Sequence, residues 1–233
     1  MIETLLGPAH RIRALGARTW SAVPEGTGEE TTYDRRAALY DAVTGSPVYN
    51  RLVWGTSPRD YTRFAAAAVA SGTGPLLDIG CGTALFTAEV YRDTERPVIL
   101  SDRALAMLER AAARIGGGTA EFLHADVFDL EAAGLRPHAF ATVACHGVLH
   151  LLDDPAALAR QLARFAAPGA QIFATSLVAD PTRAKLMLHL LHRGGEAAAP
   201  RTVAELTELL TPVLPNLTVQ RTGAMAFLTA RVD

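Results

Sequence analysis

Residues 76–87 read LLDIGCGTALFT. An apolar run stops at Asp78. Two glycines follow, Gly80 and Gly82, with one residue between them, and a helical pattern begins beyond. Strand, glycine turn and helix in that order bring backbone close to a ligand, because a residue without Cβ turns sharply and leaves room beside the chain. The helix is expected to start near Thr83–Leu85 and to offer its free N–H groups. Two features set this turn apart from a dinucleotide fingerprint. Leu85 stands where G-x-G-x-x-G needs its last glycine, and a carboxylate, Asp78, precedes the turn where a pyrophosphate would meet repulsion. A carboxylate there suits a ligand carrying a positive amino group.

Outward from this stretch the rhythm is regular. Short β-rich runs, PLLDIG, PVILSD, AEFLHAD, FATVACHG and AQIFATSL, alternate with helically spaced segments. Nearly continuous apolar strands joined by helices predict a parallel sheet covered on both faces, and right-handed crossovers make it doubly wound. The tail departs from this rhythm. LTVQRTG and MAFLTARVD are separated by almost nothing, so they must form an antiparallel hairpin. The expectation is an α/β fold with a doubly wound, seven-stranded, mostly parallel sheet ending in that hairpin. Before residue 73 the sequence reads as a helical cap: a polar break at 21–32, then helices over YDRRAALYDAV, SPVYNRLVWG and SPRDYTRFAAAAVASG. Residues 178–198 read as a lid over the acceptor.

Composition narrows the class. The 233 residues, 49% of them apolar and 20% charged, suffice for one good-sized domain with a core. The net charge of −2 gives no global electrostatic case for nucleic acid or a membrane surface, and neither is expected as a partner. Apolar runs stop well short of the roughly 20 residues that span a bilayer. Two cysteines, Cys81 and Cys145, give no disulfide framework and no paired metal motif, so no metal is expected. A cytoplasmic protein is expected.

In an open α/β sheet the ligand sits beyond the C-terminal strand ends. There the second β-run ends in Asp102, about 20 residues past the glycines, where a carboxylate takes both hydroxyls of a ribose. The third ends in Asp126, which can accept from an exocyclic amine. Leu105 and Met107 supply an apolar wall for a flat base. Amine, ribose and adenine follow in that order. Any one of these aspartates alone reads as a turn former or helix cap.

On these residues the chain resembles the class I S-adenosylmethionine-dependent methyltransferases of the small-molecule type. The stretches that carry the resemblance are LLDIGCGTALFT, VILSDRALAMLERA, LHADVFDL, ATVACHGVLHLLDD and LARFAAPGAQIFA, in the family's order and spacing. The resemblance implies a Rossmann-like methyltransferase fold over 73–233 and S-adenosylmethionine as cofactor. It also implies roles. Asp78 and the backbone of Gly80, Cys81 and Gly82 face the methionine part. Asp102 holds the ribose, Arg103 and Met107 line the adenine, and Asp126 and Val127 meet its edge. His146 contacts the methionine end through its backbone and looks toward the acceptor. Two positions depart from the family pattern: Ala84 replaces the last glycine of G-x-G-x-G, and Ala141 stands where many relatives carry Asp.

Methyl transfer from a sulfonium leaves a neutral thioether, so alignment supplies most of the rate. A base is needed only when the acceptor loses a proton, and His146 and His150 are the candidates. Each also reads as an ordinary hydrogen-bonded histidine. Cys145 and His146 do not make a nucleophile pair, because neighbouring strand residues point to opposite faces. Tyr33, Tyr40, Tyr49, Trp54 and Met187 are candidates for an apolar acceptor pocket, which favours a small, apolar or aromatic acceptor and, slightly, O-methylation by in-line displacement. The alternative is a protein of this fold that binds S-adenosylmethionine without transferring methyl, such as a repurposed ring-forming enzyme.

Overall fold

The computed structural model describes residues 1–8, 10–24, 41, 44–180 and 182–233. Two short strands come first, β1 (Arg13–Ala14) and β2 (Thr19–Ser21). Next is a brief helix, α1 (Pro47–Tyr49), whose continuation over Asn50–Trp54 loosens into a π-turn and stops at Gly55 with φ +67°. Helix α2 (Pro58–Ala70) starts on a capping box: the Ser57 amide donates to Asp60 Oδ2 at 2.9 Å, and Pro58 fills the first helical position.

The alternating region then follows: β3 (Leu76–Ile79), α3 (Ala88–Arg92), β4 (Val98–Asp102), α4 (Leu105–Ile115), β5 (Ala120–His124) and β6 (Phe140–His146). It continues with α5 (Pro155–Phe165), β7 (Ala166–Leu177), α6 (Thr182–Arg193), α7 (Val203–Leu210), β8 (Thr218–Thr222) and β9 (Met225–Arg231). Helix α5 is capped by Asp154, which accepts from the Ala157 amide at 3.0 Å.

The strands form one sheet in the order β1-β2-β5-β4-β3-β6-β7-β9-β8. From β2 through β7 every neighbouring pair is parallel. The pairs β1/β2, β7/β9 and β8/β9 are antiparallel, so the C-terminal hairpin forms as expected. The sheet order turns back at β3, which pairs with β4 on one side and β6 on the other. That is the switch point where an open α/β sheet binds ligands.

Alternation along the strands builds two cores. Leu77, Ile79, Ile99, Leu123, Val143, Cys145 and Ile172 face α5 and α7. Leu76, Val98, Leu100, Phe122 and Ala144 face α3 and α4, and Asp78 shares this side by its spacing of two from Leu76.

Three expectations are corrected. The sheet has nine strands among the described residues, not seven. The extra two lie in what reads as a helical cap: Thr19–Ser21 pairs with Phe122–His124 in parallel, and Arg18 donates to the carbonyls of Gly118 and Ala120, both at 3.2 Å. Runs of two and three residues are too short to show a period. Finally, α3 starts at Ala88 rather than near Thr83–Leu85, because Ala84 adopts φ +52° and the chain makes a turn first, with the Ala84 amide donating to Cys81 O at 3.0 Å.

Candidate active site

The turn after β3 is fastened to β4 first by backbone. The amides of Gly80 and Cys81 both donate to the Ser101 carbonyl, at 2.8 and 3.0 Å. Gly80 (φ +68°) must be glycine on two counts, since a Cβ there would also lie 2.6 Å from Val148 Cγ2. Gly82 (φ +54°) is the opposite case: a Cβ placed on it would meet nothing within 4 Å. One glycine admits a neighbouring side chain and the other opens onto free space. Cys81 has its thiol pushed up by burial first and by the Asp102 and Asp78 carboxylates second, which leaves it protonated and inert.

Asp78 lies beneath this turn and is 1% exposed. Its Oδ2 accepts from the Tyr91 hydroxyl of α3 at 3.0 Å, and its Oδ1 has no partner. Burial raises the carboxyl to about 7. The Tyr91 hydrogen bond opposes that rise, and the nearby Asp102 charge adds to it. A buried carboxylate oxygen without a donor is costly, and a ligand ammonium is the group that would satisfy it.

Asp102 ends β4 with both oxygens engaged: Oδ2 accepts from the Gly82 amide at 2.8 Å and Oδ1 from the Ala104 amide at 2.9 Å. A carboxylate at this strand end is of the type that takes the two hydroxyls of a ribose. Met107 is buried beside Ala104 at the start of α4. The Arg103 side chain is exposed, and its carbonyl lies 3.2 Å from His124 Nε2. Asp126 forms an Asx turn, its Oδ1 accepting from the Phe128 amide at 2.9 Å, and Val127 packs at the edge of the main core. The expected sequence of Asp78, glycine turn, Asp102, Met107 and Asp126 therefore lies along one sheet edge, at the ends of β3, β4 and β5.

His146 ends β6 on the α2 side of the sheet, while Cys145 is buried in the opposite core. Its Nε2 is shielded from solvent with no hydrogen-bond partner, and burial lowers the imidazole to about 4. Phe64 of α2 meets the ring edge-on, centroids 5.9 Å apart, and also touches Phe173 and Phe227 at 5.3 and 5.1 Å. One helical turn earlier, Tyr61 stacks on Phe86 at 4.8 Å. Phe86 directly follows the glycine turn, and its carbonyl accepts from Thr62 at 3.0 Å.

His150 has another setting. Its Nδ1 accepts from the Leu177 amide at 3.5 Å, and its carbonyl accepts from Ala198 at 3.0 Å, in a small cleft lined by Ser176, Leu188 and Pro200. Tyr49 and Trp54 meet edge-to-face at 6.1 Å, and Met187 packs on the same cluster with Leu188. Tyr33 and Tyr40 lie outside the described residues.

Residues 76–169 match a family model described as a methyltransferase domain. An uncharacterized methyltransferase of Mycobacterium tuberculosis is 26% identical over 177 residues, which cover 69% of this chain and 88% of the relative. Over this stretch the chain is similar to methyltransferase domains. Among solved structures, the cyclase SpnF superposes with a TM-score of 0.66 at 18% identity, over 87% of this chain and 94% of that one. DhpI, solved as its complex with S-adenosylhomocysteine, gives 0.60 at 22%, over 86% and 93%. The residues present fit the S-adenosylmethionine that the resemblance implies: an orphaned carboxylate oxygen on Asp78 and open space above Gly82.

The two departures from the family pattern have different meanings. Ala84 adopts the left-handed backbone that glycine takes most easily, at φ +52°, and is buried in the α3/α4 core. Ala141 lies at the start of β6, where its Cβ would be 2.9 Å from a Cβ on Gly74. That is the end of the strand remote from His146. Sequence reading missed the Tyr61–Phe64–Phe86–Phe173–Phe227 cluster. Its only signal was the i,i+3 spacing of Tyr61 and Phe64 on one helix face. Among the described residues no group of three or more His, Cys, Asp or Glu could hold a metal ion, and no helix is long and apolar enough to cross a membrane.

Proposed function

We propose that this S-adenosylmethionine-dependent methyltransferase acts on a small, apolar or aromatic metabolite, and that it methylates a hydroxyl. The observation that carries the reading is His146: a neutral imidazole whose Nε2 is buried and unpartnered, set against Phe64, which itself meets Phe173 and Phe227. A neutral, acceptor-capable nitrogen among aromatic rings suits an O–H donor on a flat, uncharged ring. An anionic acceptor would find no cation there to pair with among the aromatic neighbours.

On this reading the cofactor supplies an electrophilic methyl group. The protein's part is orientation. Asp78 meets the ammonium, Gly80, Cys81 and Gly82 border the methionine part, and Asp102 takes the ribose hydroxyls. Arg103, Met107, Asp126 and Val127 border the adenine. His146 Nε2 accepts the acceptor hydroxyl and aims its oxygen, and Phe64 keeps the imidazole edge-on. Residues 1–72 form a cap on the catalytic region 73–233, and α6, within 178–198, covers the acceptor together with Tyr49, Trp54 and Met187. Tyr33 and Tyr40 belong to the same proposal. His150 is assigned to holding β7 against the following segment, because its partners are the Leu177 and Ala198 backbone.

The test is a panel of phenols, arylamines and carbon acids with methyl-labelled S-adenosylmethionine, read as S-adenosylhomocysteine formed. Phenols are expected to be methylated. His146→Ala is expected to lower kcat by roughly 10²-fold, the lower end for a group handling the proton, with the dissociation constant for S-adenosylhomocysteine unchanged. With the imidazole at about 4, its acid limb should lie below pH 5 rather than near 6.5. An intact binding site that yields no S-adenosylhomocysteine with any acceptor would favour the second reading, a ring-forming enzyme. SpnF, a cyclase of the same fold, supports that reading.

A further inference from the structure

We propose that Asp41 and Arg114 are positioning residues for the cofactor turn, and that they hold Ala84 in the left-handed conformation a glycine would adopt unaided. The turn has three residues at positive φ: Gly80 at +68°, Gly82 at +54° and Ala84 at +52°. The first two have no Cβ to resist. The third does, so its conformation must be imposed by its surroundings.

The imposing contacts fall on Thr83, immediately before it. The Thr83 hydroxyl donates to Asp41 Oδ1 at 2.5 Å, and its carbonyl accepts from the Arg114 guanidinium. Arg114 closes the triangle by donating to Asp41 Oδ2 at 2.8 Å, and Arg110 lies 3.6 Å from the same oxygen. The carbonyl contact is decisive. The Thr83–Ala84 peptide is a rigid plane, so gripping its oxygen fixes the rotation about the Ala84 N–Cα bond, which is φ itself. On the far side the Ala84 carbonyl accepts from the amides of Thr87 and Ala88, at 3.2 and 2.9 Å, so the residue is held from both ends. Thr83 is 1% exposed, which keeps water from competing for these bonds.

If the triangle is broken, Ala84 is free to relax toward negative φ. Gly82 is two residues away, and its amide would be pulled from Asp102. Cofactor affinity should fall as a result. A glycine at position 84 has nothing to relax, so it should make the triangle dispensable.

The experiment is a double-mutant cycle on S-adenosylhomocysteine affinity, measured by titration calorimetry on Asp41→Ala, Ala84→Gly and the pair, with thermal melting of each apo protein as the folding control. Asp41→Ala alone should weaken binding roughly tenfold, the equilibrium equivalent of an alanine's left-handed cost. The double variant should bind as tightly as Ala84→Gly. Equal weakening by Asp41→Ala in both backgrounds would overturn the proposal, because Asp41 would then act by some route other than Ala84. Unchanged affinity in Asp41→Ala would overturn it as well. Should Asp41→Ala fail to fold, Arg114→Met removes the guanidinium that grips the Thr83 carbonyl and is subject to the same rescue. Failure of wild-type protein to bind S-adenosylhomocysteine would instead count against the cofactor assignment.

Discussion

Replacing Asp78 with Asn should change the pH dependence of folding in a way no offset can mimic. The carboxyl is raised from 3.8 to about 7, chiefly by burial. A group raised in the folded state binds its proton more tightly there than in the unfolded chain. Folding stability therefore falls as pH climbs from 3.8 to 7 and is level above. At about 1.4 kcal/mol per tenfold in proton affinity, the ionised form costs ~4 kcal/mol. Asn carries no such term. Its buried NH2 would add a cost of ~1–3 kcal/mol, but one independent of pH.

The stability difference between Asp78→Asn and wild type should therefore rise by several kcal/mol between pH 4 and 7 and flatten beyond. His146 and His150, both lowered to about 4, work in the opposite sense, adding stability as pH rises from 4 to 6.5. They contribute equally to both proteins and drop out of the difference. Urea unfolding of apo protein at half-unit steps from pH 4.5 to 8.5 measures the curve. A difference that stays constant across that range would refute the reasoning. Cofactor binding supplies a second reading of the same group. An ammonium against Asp78 draws its carboxyl back down, so S-adenosylhomocysteine should expel close to one proton at pH 6, seen as a buffer-dependent binding enthalpy that Asp78→Asn abolishes.

Tyr91→Phe removes the one hydrogen bond that opposes the rise of Asp78, so the same proton release should persist to higher pH than in wild type. S-adenosylhomocysteine at 100 times its Kd should raise folding stability by about 2.7 kcal/mol, and Asp102→Ala, losing both its ribose contacts and its hold on Gly82, should remove most of the corresponding Tm shift. Gly80→Ala should destabilise the apo protein by ~1–3 kcal/mol, since it meets both a positive φ and Val148. Adding Val148→Ala should recover the steric part alone, as urea midpoints will show.

What was legible in the sequence is what depends on local period and order. LLDIG, VILSD and FATVACH declare themselves as strands because each is a short, mostly apolar run. Once their order is known, Asp78, Asp102 and Asp126 must share one edge. What was not legible depends on meetings across the chain. Phe64, Phe86, Phe173 and Phe227 come from four separate segments, and no spacing announces that Phe173 and Phe227 meet Phe64 beside His146 or that Phe86 stacks on Tyr61. Asp41 reaches Thr83 and Arg114 from 42 and 73 residues away. The late start of α3 was hidden for a different reason: the left-handed turn at Ala84 is bonded by contacts outside it, so residues 83–87 kept a helical composition without a helix.

Residues 13–21 have a consequence for any attempt to isolate the catalytic region. β2 covers the flank of β5, and Arg18 ties off the carbonyls of Gly118 and Ala120. A chain cut at residue 73 would leave the outer rim of Ala120–His124 with its hydrogen-bonding groups bare, a template for pairing with another molecule. Such a fragment is expected to self-associate at concentrations where the whole protein does not. Thr19–Ser21 and Phe122–His124 share one ladder, so the N-terminal segment is joined to the rest of the sheet by a seam.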